Sequence, residues 1–199
     1  MKEIVQDADL SDSLQLRNVC LYLLCFAGFF RYQDDVITIR RNEIVFNEGD
    51  VTIKIPKSKN DQLRQGKEVV ISCFEGELCP VKMLKEYLSR MNIEPSSTKY
   101  IFRQMVKTKY AHKLVDKDKH ISYTTFRGHF KDSLKDIVPN NKLFGTQSCR
   151  SGGASTAANA DVKDRAFQRH GRWKTAKAKN GYVEDCIDTR LAVSKSLQL

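Results

Sequence analysis

The chain has 199 residues, 41% hydrophobic and 29% charged, a balance that excludes an intrinsically disordered chain and allows a buried core without disulfide staples. Its 34 Lys and Arg against 24 Asp and Glu leave a net charge of +10, which points to a polyanionic partner, nucleic acid before an acidic membrane surface. The longest apolar run, Val19 to Phe30, is well short of the roughly 20 residues a membrane helix needs, and Met1-Lys2-Glu3 opens no signal peptide.

Residues 1–10 read as a polar, frayed lead-in, and 11–199 as one domain. From Ser11 an apolar pattern runs through Leu14, Val19, Leu23 and Phe26 to Phe30, with Ser11 or Asp12 able to cap it. Apolar residues occupy most of its faces, so this helix is expected at the centre of the core. Glu43 to Phe46 and Val51 to Ile55 flank the turn Asn47-Glu48-Gly49-Asp50, and Val69 to Phe74 follows as a third strand. Between the second and third strands lies a long basic loop, 56–66. Pro80 opens a further helix, 106–120 is a basic, mobile connection, and helices are expected over 122–138, 147–160, 162–168 and from Thr175 to the C-terminus. The fold class is α+β, mostly helical with a small three-stranded antiparallel sheet. Six cysteines form no CxxC and no ligand spacing, so they read as reduced, mostly buried thiols of an intracellular protein without structural zinc.

Five separated places carry residues suited to chemistry. Arg31 and Asp34 follow the central apolar helix, and an arginine there would by itself be read as facing solvent. Lys59 sits in the basic loop with Lys57 as its alternative, and Arg64 and Lys67 stand nearby. Arg150 lies among small residues in Gln147-Ser148-Cys149-Arg150-Ser151-Gly152-Gly153-Ala154, where neighbouring backbone can come close. Arg172 and Trp173 follow His170-Gly171; a lone tryptophan is ordinarily core. Tyr182 follows Gly181 in polar sequence, which favours an accessible hydroxyl.

In this order and spacing these residues resemble the signature of the tyrosine recombinases, the integrase and Cre-like group. That signature has an arginine after an apolar helix with an acid three positions on, matched by Arg31 and Asp34. A hairpin lysine follows, matched by Lys59, then His-x-x-Arg, matched by Gln147 and Arg150, and finally a His or Trp with a tyrosine about nine residues later, matched by Trp173 and Tyr182. The resemblance covers roughly Leu14 to the C-terminus, and the phrases Arg-Ser-Gly-Gly-Ala and Arg-His-Gly-Arg-Trp look most like eukaryotic mobile-element members. The one departure is Gln147 in place of histidine, a side chain that donates a hydrogen bond but cannot exchange a proton near neutral pH.

The resemblance implies site-specific recombination or integration of double-stranded DNA with no cofactor and no metal. Tyr182 would form a 3′-phosphotyrosine, Arg31 and Arg150 would clamp the phosphate, and Lys59 would protonate the departing 5′-oxygen. Trp173 would donate its indole N–H, Asp34 would orient a neighbour, and Lys57, Arg64, Lys67 and Arg172 would contact DNA. Synaptic homo-tetramers are implied, with no membrane and with a nuclear location in a eukaryotic host. The family's N-terminal helical domain has no counterpart in these residues. Two other readings stay open: a degenerate module that holds DNA without cutting it, and a topoisomerase-like nicking and closing enzyme. His170 reads as structural and Cys149 as a small buried thiol.

Overall fold

The computed structural model of the chain describes residues 1–55, 67–160 and 162–197. The basic loop with Lys57, Lys59 and Arg64 lies outside the described residues. Helix α1 (Lys2–Asp7) leads into α2 (Ser13–Ala27), and strands β1 (Ile44–Phe46), β2 (Asp50–Ile55) and β3 (Lys67–Ser72) follow. Next come α3 (Pro80–Arg90), β4 (Met105–Lys107), β5 (His112–Leu114) and α4 (Tyr123–Asp132). The C-terminal part consists of α5 (Ser148–Ala158), α6 (Asp164–His170), α7 (Ala176–Asn180) and α8 (Ile187–Lys195). Among the described residues no helix is long and apolar enough to cross a membrane.

Helix α2 is the axis of the molecule. Asp12 caps it, its carboxylate accepting from the Leu14 N–H at 3.2 Å, which satisfies one of the unpaired donors of the first turn. Leu16, Val19, Leu21, Leu23 and Leu24 are all buried, each stabilising by roughly 1.5–3 kcal/mol relative to exposure. Because α2 is enclosed by α3, α4 and α5, it is apolar on nearly every face, unlike the amphipathic α3 that covers it. The sheet has the order β1-β2-β3, antiparallel throughout. The alternation expected of β2 is met: Val51, Ile53 and Ile55 are buried, while Thr52 and Lys54 point away from the core. Ile53 pairs with Ile44 on one side and Val69 on the other, so cross-strand packing and register agree.

Five expectations need correction. The lead-in is not frayed: α1 forms within it and buries Ile4 and Val5 against the core. Strand β3 spans 67–72 and not 69–74, because pairing with β2 continues to Ile55 and Lys67 while Phe74 has already turned outward. The basic stretch 106–120 is no open connection but contains the β4–β5 hairpin, closed where Thr108 and Ala111 exchange backbone and hydroxyl bonds. The helix expected over 122–138 ends at Asp132: the Ser133 hydroxyl donates back to the His129 carbonyl at 2.9 Å, a side-chain bond that competes with helix continuation. The C-terminal helix expected from Thr175 is split into α7 and α8, and Tyr182 lies in the gap.

Arg17 is a cation inside the core, 1% exposed. It donates to the Arg103 carbonyl at 3.1 Å and to His129 Nδ1 at 3.0 Å. A guanidinium only donates, so Nδ1 accepts and the ring is neutral. Burial, and next the charge of Arg17, hold the His129 pKa below its ordinary value. The unfolded ring, with a pKa of about 6.5, takes up a proton that the native ring resists. Stability is therefore lost as pH falls below about 6.5 and regained as pH rises through that window. Urea unfolding followed across this window will show that slope, and His129→Gln will make it shallower.

Gly153 sets the approach of α5 to α2. A Cβ built there would meet the Phe26 carbonyl oxygen at 2.1 Å, a backbone atom that cannot swing aside. Gly153→Ala is expected to destabilise by about 1–3 kcal/mol through overpacking, read as a lowered denaturant midpoint.

Candidate active site

Helix α2 ends at Gly28, and Phe29 follows in the left-handed region at φ 47°. A non-glycine residue there stores strain of about 1–3 kcal/mol, retained only where surroundings over-determine it. Here the surroundings are guanidinium groups. The Phe29 carbonyl accepts from Arg150 Nη1 and from Arg172 Nη2, the latter at 2.8 Å. Arg172 is itself left-handed at φ 57°, and its Nη1 donates to the carbonyls of Gly28 and His170, each at 3.0 Å.

One carboxylate balances this cluster. Asp35, on the turn after α2, has a side chain 5% exposed. Its Oδ2 accepts from Arg172 Nη2 at 2.8 Å and from the Arg31 backbone N–H at 2.9 Å, and lies 3.9 Å from Arg150 Nη1. Arg150 reaches across to the Gly171 carbonyl with Nη2 at 2.7 Å. Burial first, and the neighbouring charge of Arg172 second, pull the Arg150 pKa down to about 10, so the group remains a cation at neutral pH.

Trp173 lies across this cluster. With Phe29, Ala154 and Phe167 it forms a small apolar core separate from the main one, and Tyr182 packs at its margin. The Trp173 ring is 5.0 Å from Phe167 and 5.8 Å from Tyr182, centroid to centroid. The Arg150 guanidinium sits 5.1 Å over Trp173 and 4.6 Å over Tyr182, within cation–π range. The tryptophan fits because residue 171 has no side chain: a Cβ there would stand 2.1 Å from the indole ring. Two buried donors of this site, Trp173 Nε1 and Arg150 Nε, have no hydrogen-bond partner among the described residues. The two residues are among those lining a cleft of about 100 Å³, with Arg31, Asp35, Lys67 and Arg172.

Tyr182 is held against Trp173 and Arg150 by α5, the helix that carries Arg150. Ser155 Oγ donates to the Tyr182 carbonyl at 3.3 Å and accepts from the Glu184 N–H at 2.9 Å. Asn159 donates to the Glu184 carbonyl at 3.0 Å and accepts from the Cys186 N–H at 3.0 Å. These bonds satisfy backbone groups that a continuous helix would have paired internally, which accounts for the break between α7 and α8.

Of the residues singled out in the sequence, Arg31, Lys67, Arg150, Arg172, Trp173 and Tyr182 come together at this place. Lys57, Lys59 and Arg64 lie outside the described residues. Gln147 is exposed just before α5 and makes no capping bond there. Asp34 forms a 3.7 Å ion pair with the Arg31 side chain, as expected of an acid that orients a neighbour; the acid facing the buried Arg150 and Arg172 is its neighbour Asp35. A signal existed for it, since Asp35 directly precedes the apolar pair Val36-Ile37 and so belongs to the buried side of the turn. Arg172, expected to contact DNA, is turned inward with a side chain 8% exposed. Tyr182 is half-buried, its ring packed against Trp173 where an unpacked ring was expected. His170 is structural as expected, its Nε2 bonded to the Ala27 carbonyl at 2.7 Å. Ser155 and Asn159 carried no sequence signal.

Removing the Asp35 carboxylate leaves two buried guanidiniums without their counter-charge. Asp35→Ala is expected to destabilise the fold by about 3–5 kcal/mol, measured by urea unfolding, whereas Asp34→Ala will change stability by less than about 1 kcal/mol, as for an exposed pair.

No protein-family model matches the chain. Among curated proteins it is similar to an integrase/recombinase, a XerD homolog of Selenomonas ruminantium, with 29% identity over 181 residues, covering 89% of this chain and 50% of the relative. Among solved structures it superposes on the XerH site-specific recombinase bound to a palindromic difH substrate in a post-cleavage complex, with a TM-score of 0.69 and 15% identity, covering 98% of this chain and 49% of that one. It also superposes on XerA recombinase, with a TM-score of 0.67 and 14% identity, covering all of this chain and 62% of that one. The chain thus spans about half the length of the curated relative it matches. The chain has the fold of the site-specific recombinases on which it superposes, in keeping with the tyrosine-recombinase resemblance carried by the spaced arginines, tryptophan and tyrosine.

Proposed function

We propose that the chain is the strand-cleaving domain of a site-specific DNA recombinase or integrase. The observation that carries this reading is the pair of unpartnered buried donors, Trp173 Nε1 and Arg150 Nε, beside a cleft rich in cations. Buried donors without partners cost about 1–3 kcal/mol each, and an anion with several acceptor oxygens removes that cost. A DNA phosphodiester is such an anion, and the net charge of +10 suits the polymer that carries it.

In this reading Arg150 and Arg31 bind the non-bridging oxygens and stabilise the charge that develops on them in the transition state. The Phe29 and Gly171 carbonyls, with Asp35 close by, hold Arg150 in place, and the Trp173 indole N–H donates to the same phosphate. The Tyr182 oxygen attacks phosphorus, the bond to the 5′-oxygen breaks, and a 3′-phosphotyrosine and a free 5′-hydroxyl result. Lys59 supplies the proton for that leaving oxygen, and Lys67 beside the cleft contributes a further phosphate contact. The phosphotyrosine retains the phosphodiester's free energy, so a 5′-hydroxyl from another strand can reseal it without an external energy source. Tyr182 moves out from its packing on Trp173 to reach phosphorus.

The partner is double-stranded DNA, on which several copies assemble as a synaptic tetramer. Helix α8 offers Ile187, Leu191 and Val193, all exposed, to a neighbouring copy. The protein acts inside the cell, in the nucleus of a eukaryotic host. A second reading, a DNA-holding module that no longer cuts, is favoured by Gln147 at the histidine position.

The test is a nicked suicide duplex, drawn from a random pool and incubated with the chain in EDTA at low salt. An SDS-resistant protein–DNA adduct is expected, absent in Tyr182→Phe and reduced on the order of 100- to 1,000-fold in rate in Arg150→Ala. Salt-sensitive DNA binding with no adduct would establish the holding module instead.

A further inference from the structure

The connection between β3 and α3 holds two thiols that the strand-cleavage chemistry does not use. Cys73 is the first residue after β3, and its N–H is tied to the Gly49 carbonyl at 2.8 Å. Cys79 is the N-cap of α3. Their sulfurs lie 3.7 Å apart. Cys79 Sγ also accepts from the backbone N–H groups of Phe74 at 3.4 Å and Lys82 at 3.5 Å, so two donors point at that sulfur besides the partner thiol. Cys79 is fully buried and Cys73 is partly exposed. One sulfur of the pair can therefore meet a reagent from solvent while the other waits behind it.

We propose that Cys73 and Cys79 are a redox-active dithiol that closes to an intramolecular disulfide when it meets a low-molecular-weight disulfide such as oxidised glutathione. The Cys73 thiolate attacks one sulfur of the oxidant, forming a mixed disulfide and expelling one glutathione thiolate. The Cys79 thiolate then attacks Cys73 Sγ, the Cys73–glutathione bond breaks, and the second glutathione thiolate leaves. Two electrons pass to the oxidant, and the protons lost by the two cysteines end on the two glutathione thiols.

Local electrostatics favour the second step and not the first, since burial and then the bond to Cys79 raise the Cys73 thiol. Burial works against a thiolate at Cys79, but the N–H groups of Lys82 and Phe74 outweigh it and the thiol is lowered below its usual value. The other buried cysteines differ: Cys20, Cys25 and Cys149 lie in the apolar core, where burial raises their thiols, and among the described residues no second sulfur is bonded to any of them. Closing the bond brings the sulfurs from 3.7 Å to about 2.05 Å. This draws the end of β3 onto the start of α3, and the opposite end of β3 is Lys67, at the cleft.

The experiment uses the full chain and oxidised glutathione, with alkylation of remaining thiols and trypsin digestion. No Lys or Arg separates Glu68 from Lys82, so one peptide, 68–82, carries both cysteines. Exposed Cys186 reports in the same digest that the oxidant has acted. Where Cys186 carries glutathione, peptide 68–82 is expected to have lost both alkylatable thiols and to be lighter by two hydrogens than the reduced peptide, reverting with dithiothreitol. Cys79→Ser, which keeps a capping side chain, is expected to leave Cys73 as a lasting glutathione adduct. The proposal is overturned if wild-type peptide 68–82 remains fully alkylatable, or holds glutathione on Cys73 with no internal bond, once Cys186 has reacted. This result is independent of whether the chain cleaves DNA.

Discussion

Asp35 is the carboxylate around which the C-terminal half of the molecule is arranged. Its oxygen holds the turn after α2 through the Arg31 N–H and holds Arg172 directly, with Arg150 close by. Taking two guanidiniums into a dry interior costs several kcal/mol per ion unless charge and hydrogen bonds compensate. Here one carboxylate and the carbonyls of Gly28, Phe29, His170 and Gly171 provide that compensation. Those carbonyls come from the end of α2 and the end of α6, so the same bonds that solvate the arginines also fasten two distant pieces of chain together.

The strain and the small residues follow from that arrangement. Phe29 and Arg172 take left-handed backbone conformations next to the bonds just described, and Gly153 and Gly171 leave room for the Phe26 backbone and the Trp173 ring. A glycine at each of these places has no intrinsic merit in a helix; its merit is the close approach it permits. The outcome is a cleft lined by several cations and one tryptophan, in which the guanidinium groups are fixed by bonds within the protein.

The tyrosine is held differently. Arg150 is held through both terminal nitrogens by the Phe29 and Gly171 carbonyls, whereas Tyr182 is held from α5 by a bond from Ser155 to its carbonyl and by ring packing. Arg150 and Arg172 are thus fixed by bonds to backbone and to Asp35, while the Tyr182 ring is held by packing. Helix α8 lies immediately beyond and leaves its apolar residues in solvent, so docking of that helix elsewhere would act on the segment bearing the tyrosine.

The elements legible in the sequence were those decided by local periodicity. The two-residue alternation of β2, the continuous apolar character of α2 and the caps at Asp12 and Pro80 are short-range patterns, and they met the backbone within a residue or two. So did the gathering of Arg31, Arg150, Trp173 and Tyr182, because their order and spacing carried a likeness to known proteins. What the sequence could not decide was which of two adjacent aspartates turned inward, that Arg172 would serve as internal scaffolding, and that the last helix would break at Tyr182. Each depends on groups far apart in the chain: Asp35 faces Arg172 across 137 positions, and Tyr182 is tied to Ser155 across 27. Side-chain type constrains local backbone preference, but the desolvation that makes a buried charge seek a partner exists only once the chain has closed around it.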